Sequence, residues 1–123
     1  MMTTDDLEAF FDQGWNRHDV DLLMTFMAED CVFESTAGPE ACGTRHAGRE
    51  RVRQAFARVF EVFPDARFRE ARHFVAGDRG VSEWRFRGTT ADGKRVEVDG
   101  CDLFTFTADK IALKSSYFKT RTA

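Results

Sequence analysis

Near the end of the chain an aspartate stands among phenylalanines, in Asp102-Leu103-Phe104-Thr105-Phe106, and a lysine follows in Leu113-Lys114-Ser115-Ser116. A carboxyl group held among apolar side chains is desolvated, which favours its neutral form and suits it to give a proton or hydrogen bond near neutral pH. A neighbouring ammonium acts in the opposite sense and holds the carboxylate ionised. His46 lies in the glycine-rich run Cys42-Gly43-Thr44-Arg45-His46-Ala47-Gly48, and an imidazole titrates where proton transfer needs it. Asp102, Lys114 and His46 are therefore the catalytic candidates. Their plainer alternatives are a cross-strand ion pair at a partly wet surface and a solvated loop histidine. Glu34 reads as a rim carboxylate, and His18 and His73 as structural residues. None of the three histidines has a metal-like spacing to a partner, so neither a metal nor a cofactor is expected. Cys31, Cys42 and Cys101 form no CxxC pair, which suits a reducing cytoplasm, and Cys42 and Cys101, with no basic neighbour placed to activate them, read as inert thiols.

These residues need elements to position them. Leu7, Phe10, Phe11 and Trp15 make the stripe of an amphipathic helix, with Thr4 and the acids after it at its start. Asn16 to Asp19 read as a break, Asp19 as the cap of a second helix, and Leu22, Leu23, Phe26 and Met27 as that helix's apolar face. Cys31 to Ser35 read as a short strand and Thr36 to Gly48 as a loop. Val52, Phe56, Val59, Phe60 and Phe63 mark a third helix, which Pro64 stops. From Ala66 the period changes to two, with Phe68, Glu70, Arg72 and Phe74 on one side of a strand. Turns at Gly77-Asp78-Arg79-Gly80, Ala91-Asp92-Gly93-Lys94 and Ala108-Asp109-Lys110 separate this strand from three more.

A last hairpin turning near Asp109 pairs Phe106 with Ala112, Phe104 with Lys114 and Asp102 with Ser116. These residues then share one side of the sheet with Phe118, because side chains alternate. Cys101, Leu103, Ile111, Leu113 and Tyr117 fall on the other side. The pattern is an α+β domain with three N-terminal helices packed on a strongly curved, mostly antiparallel sheet. Apolar positions on the outward side (Leu103, Ile111, Leu113) predict a homodimer formed through the sheet. Arg67, Arg69, Arg72, Arg85 and Arg87 are either a charge network spanning that dimer or a solvated strand face.

The whole chain sets limits on function. Its 123 residues make one domain, 1–123, and a formal charge of −3 with a pI near 5.6 argues against nucleic-acid binding. Charged residues interrupt every apolar run, so no membrane span is expected, and Met1 to Asp6 carry no secretory signal; a cytoplasmic location is the expectation. Thirteen phenylalanines, against two tryptophans and one tyrosine, predict an interior of rings without hydrogen-bonding groups.

Four segments carry a resemblance. Trp15-Asn16-Arg17-His18-Asp19-Val20-Asp21, Asp30-Cys31-Val32-Phe33-Glu34, Gly48-Arg49-Glu50-Arg51-Val52-Arg53 and Asp102-Leu103-Phe104-Thr105-Phe106 resemble the SnoaL-like branch of the NTF2-like superfamily. That superfamily includes ketosteroid isomerases, polyketide cyclases and limonene-epoxide hydrolases. The resemblance implies a cone-shaped α+β barrel with an apolar cavity open at one end. It also matches Asp102 to the aspartic acid that ketosteroid isomerases keep protonated in their oxyanion hole. The isomerases' first-helix tyrosine matches Phe11 and their general-base aspartate matches Ser35, neither of which can do the same chemistry. Steroid isomerisation by that route is therefore not expected.

The expected function is that of a cofactor-free acid/base enzyme (isomerase, cyclase or hydrolase type) acting on a small hydrophobic, oxygen-bearing molecule. Asp102 is the acid or hydrogen-bond donor, Lys114 and Ser116 its polar neighbours, and His46 a second proton carrier. Phe11, Trp15, Phe33, Ser35, Phe56, Trp84, Phe104, Ser116 and Phe118 are the ligand-binding set. The alternatives are a non-catalytic carrier of a small apolar ligand and a dimeric interaction module whose cavity is filled by its own side chains.

Overall fold

The computed structural model describes residues 1–122. Helix α1 covers Thr4–Ala9 and continues as a π-helix, Phe10–Trp15. Thr3, one residue before the expected cap, begins it. The Thr3 hydroxyl accepts from Asp6 N at 3.2 Å and the Asp6 carboxylate accepts from Thr3 N at 2.9 Å. The π turn shows in Asn16 N donating to Phe11 O at 2.8 Å, five residues back. Widening the turn keeps Phe10, Phe11 and Trp15 all within the core.

Helix α2 covers Val20–Thr25, capped by Asp19, whose carboxylate accepts from Leu22 N at 3.0 Å. It is shorter than the apolar spacing predicts. Met27 opens strand β1, Met27–Glu34, because β1 pairs in parallel with the last strand and Ile111 N donates to Phe26 O at 2.8 Å. Within the expected loop 36–48, Arg45–Ala47 forms a short strand β2 antiparallel to β1. Three residues with no apolar alternation leave no strand signal in the sequence. Helix α3, Arg49–Val62, ends ahead of Phe63-Pro64.

Strands β3 (Arg67–Ala76), β4 (Arg79–Thr89), β5 (Arg95–Thr107) and β6 (Lys110–Phe118) form the antiparallel meander, and β6 closes against β1 in the order β2-β1-β6-β5-β4-β3. The helices cover its concave face. Two bulges change the predicted facing. In β3 the register shifts between Arg69 and Arg72, with Glu70 at φ 54°, so beyond the bulge Ala71, His73 and Val75 turn inward while Phe74 is exposed. In the final hairpin Asp102 faces Ser116 and Phe104 faces Lys114 as expected, but Phe106 faces Ile111 rather than Ala112. That slip buries Ile111 completely and removes it from the outward apolar set, leaving Leu103 and Leu113.

The core is a connected mass of rings. Phe10 lies edge-on to Phe11, Trp15, Phe26 and Phe104 at centroid distances of 5.3–6.3 Å. Among the described residues no helix is long and apolar enough to cross a membrane, and no group of three metal-ligating side chains occurs.

Candidate functional site

The inward faces of β4, β5 and β6 bring Trp84, Asp102, Lys114 and Ser116 together. Asp102 is 0% and Lys114 3% exposed. Lys114 Nζ donates to Asp102 Oδ1 at 3.1 Å and to Ser116 Oγ at 2.9 Å. Ser116 Oγ in turn donates to Asp102 Oδ1 in a short hydrogen bond. Trp84 Nε1 donates to Asp102 Oδ2 at 3.0 Å. The indole reaches that oxygen because Gly100, opposite Trp84, has no side chain; a Cβ there would stand 2.6 Å from the ring.

Rings complete the surroundings of the ammonium. Lys114 Nζ lies 4.8 Å from the Phe33 ring centroid, 4.9 Å from that of Trp15 and 5.8 Å from that of Phe56. Their negative faces favour the cation. Burial nevertheless dominates and pushes the Lys114 amine below its ordinary value of 10.5, while the charge and hydrogen bond of Asp102 pull it back up. Removing one side chain of a buried pair of this kind leaves the other without its partner, which is costly in an apolar site.

Above Lys114 and Ser116 opens a cavity of about 440 Å³. Ala55, Val59, Val62 and Phe63 of α3 and the segment after it form one wall; Phe68, Trp84, Phe86 and Val96 form the sheet side; Trp15, Phe33 and Phe118 close it further. Its polar lining is Ser35, Thr36, His46, Arg58, Lys114 and Ser116. His46 stacks on Phe33, with centroids 5.6 Å apart and planes 17° apart. Ser35 Oγ donates to the carbonyls of Ala37 at 3.3 Å and Thr44 at 3.4 Å.

Of the residues picked from the sequence, Trp15, Phe33, Ser35, His46, Trp84, Lys114, Ser116 and Phe118 line this cavity, and Asp102, Phe11, Phe56 and Phe104 do not. Asp102 lies behind Lys114 and Ser116. It meets the cavity only through Lys114 and Ser116, which together with Trp84 hold its two oxygens. Phe11 faces the far side of the core, against Phe68 and His73, and Phe104 packs on Phe10 and Phe106. Sequence reasoning missed Val59, Val62, Phe63, Phe86 and Val96 as lining residues, although the stripe on α3 carries Val59 and Phe63.

The other titratable candidates are occupied elsewhere. His18 hydrogen-bonds Ala66 O at 2.9 Å and stacks on Phe60. His73 bonds Ser82 Oγ at 2.8 Å, and burial lowers its pKa against the pull of Glu8 and Asp12. Burial raises the thiols of Cys31 and Cys101, which keeps them protonated and unreactive.

A family model described as a SnoaL-like domain matches residues 7–114. The chain belongs to the SnoaL-like family. An NTF2-like protein of unknown function from Mesorhizobium loti is 32% identical over 95% of this chain and 91% of its own, with a TM-score of 0.74. A candidate polyketide cyclase from Pseudomonas putida is 18% identical over 97% of this chain and 92% of its own, with a TM-score of 0.84. The protein TerC, crystallised with polyporic acid, is 20% identical over 92% and 88% of the two chains, at a TM-score of 0.75. No curated protein matches this chain. Among the described residues, the Lys114–Asp102 ion pair is the buried one, and its lysine forms part of the cavity floor.

Proposed function

We propose that this SnoaL-like protein binds a small hydrophobic, oxygen-bearing molecule in its cavity and acts on it by acid/base chemistry without a cofactor. The observation that carries the reading is the Lys114 ammonium, buried at the base of an otherwise apolar cavity and held by Asp102 and Ser116. An ammonium has three protons, and Asp102 and Ser116 take two of them. The third serves a carbonyl, epoxide or enol oxygen of the ligand. In a low-dielectric site such a donor stabilises developing negative charge strongly. Burial weakens the hold of Lys114 on its proton, which brings it closer to neutrality as an acid. Asp102 is a positioning residue that fixes the amine and balances its charge. His46, on the cavity wall, is the second proton carrier.

Carriage without turnover is the second reading. It is favoured by Ser35, whose hydroxyl is turned to backbone carbonyls and offers no base. In either case the protein works in the cytoplasm as a homodimer whose contact is centred on Leu103 and Leu113. Sedimentation of Leu103→Glu as a monomer checks the dimer.

A thermal-shift screen of steroids, terpenoids and polyketide-like aromatics tests the binding, since a ligand of the native state must stabilise it. A ligand found this way is then incubated with wild type and with Lys114→Arg and followed by NMR. Conversion by wild type alone supports catalysis; binding without conversion supports carriage; and no stabilisation by any class refutes both.

A further inference from the structure

Lys114 differs from the other lysines of the chain. Lys94, Lys110 and Lys119 are exposed, whereas Lys114 is buried and lines the apolar cavity. An ammonium in water keeps its proton and is no nucleophile, but one deprived of water with a base beside it is readily made neutral. Asp102 Oδ1 accepts from Nζ at 3.1 Å and is itself closed off from solvent. Ser116 Oγ accepts from Nζ at 2.9 Å and donates to Asp102, so it links that carboxylate to the cavity it lines. An amine, a base for its proton and a hydroxyl that passes the proton on therefore meet at one point of the cavity floor. The register of the last hairpin puts them there, since Asp102 lies opposite Ser116 and Lys114 shares their side of the sheet.

We infer that Lys114 is a nucleophile that captures an aldehyde or ketone in the cavity as a protonated imine. This rests on the proposed binding of an oxygen-bearing ligand and narrows its class to carbonyl compounds. Asp102 takes one proton from Nζ, and the freed electron pair forms a bond to the carbonyl carbon. That proton passes through Ser116 to the carbonyl oxygen, giving a carbinolamine. A second Nζ proton follows the same route, the C–O bond breaks, water leaves and the nitrogen lone pair completes the C=N bond. Of the three ammonium protons, two end on water and one on the iminium nitrogen, and nothing is oxidised or reduced. The positive charge stays in place throughout. Asp102 keeps its partner, and the rings of Phe33, Trp15 and Phe56 that surround the ammonium surround the iminium as well. Apolar walls disfavour the water whose return would hydrolyse the product.

Trapping with sodium cyanoborohydride tests the inference, because this reagent reduces a protonated imine to an amine and so fixes the ligand to its lysine. Citronellal, progesterone and 2-acetylnaphthalene are each incubated with the whole protein and the reductant near neutral pH, and the adduct is located by peptide mass mapping. At least one probe should label Lys114 roughly tenfold or more above Lys94, Lys110 and Lys119, since burial frees its electron pair and the exposed ammoniums stay protonated. Lys114→Arg should abolish that label. The map is read on the wild-type chain, so it decides the matter whether or not the variant folds.

Thermal shifts with the same probes, without reductant, separate this inference from the cavity reading. Stabilisation by a probe that leaves no adduct on Lys114 overturns the inference and leaves the cavity reading standing. Neither stabilisation nor adduct from any of the three overturns the inference and counts against the cavity reading too. Label spread evenly over the lysines also overturns it, because exposure rather than the cavity would then decide reactivity.

Discussion

The sheet carries cross-strand ion pairs on both of its faces, and those on the two faces obey different rules. On the outer face Arg85 Nε meets Asp99 Oδ1 at 2.7 Å, with the side chains 45% and 52% exposed. On the inner face Lys114 Nζ meets Asp102 Oδ1 at 3.1 Å, with the side chains 3% and 0% exposed. The outer pair is the closer one, yet water solvates both partners and screens their attraction. The inner pair is longer, and it controls its surroundings because neither partner has water to fall back on. Proximity is therefore a poor guide to which pair matters here; solvent access decides.

The comparison is most severely tested by removing one inner charge. Asp102→Asn keeps the shape and strands the ammonium, and should cost about 3–5 kcal/mol of stability in urea denaturation. Adding Lys114→Met to it should recover most of that loss, and a double variant no better than the single one would break the argument. On stability grounds Asp102→Asn is thus unsuited to testing catalysis alone.

A smaller effect concerns pH. The folded-state pKa of Lys114 lies below its unfolded value of 10.5, so between the two the unfolded chain binds more protons. Stability should gain from this group as pH rises through that interval. NMR of the lysine Nζ should place the Lys114 midpoint below those of the surface lysines, and catalysis that needs its proton should fail over the same range.

The outer pair should respond least. Arg85→Gln should leave the urea midpoint almost unmoved, since water solvates both partners. The hydrogen bond and charge of Arg85 hold the Asp99 carboxyl below its ordinary 3.8, so the variant should move the Asp99 midpoint up toward that value. The small contribution that Arg85 makes is present above 3.8 and disappears as pH falls through the lowered midpoint.

Much of this was legible in the chain. The ring stripe on α1, the stop at Pro64 and the turn signals located most elements within a few residues, and the turn at Asp109 placed Asp102 opposite Ser116 and Phe104 opposite Lys114. What escaped were features that depend on partners distant in sequence. Strand β2 exists only because β1 offers it an edge. The bulge at Glu70 inverts the facing of β3, and the slip at Phe106 sends Ile111 inside. Each is a one-residue event, and one residue is enough to exchange the faces of a strand.

The site divides in the same way. Residue types and alternation by themselves determined that a carboxylate, a lysine and a serine would share one side of a phenylalanine-rich hairpin, since local turn geometry and a period of two suffice for that. Only the tertiary structure decided that this side is concave, that Trp84 donates to Asp102 from the neighbouring strand, and that Lys114 rather than Asp102 fronts the cavity. Those outcomes follow from how three helices and a curled sheet close over one another, and that closure sets which charge keeps its water.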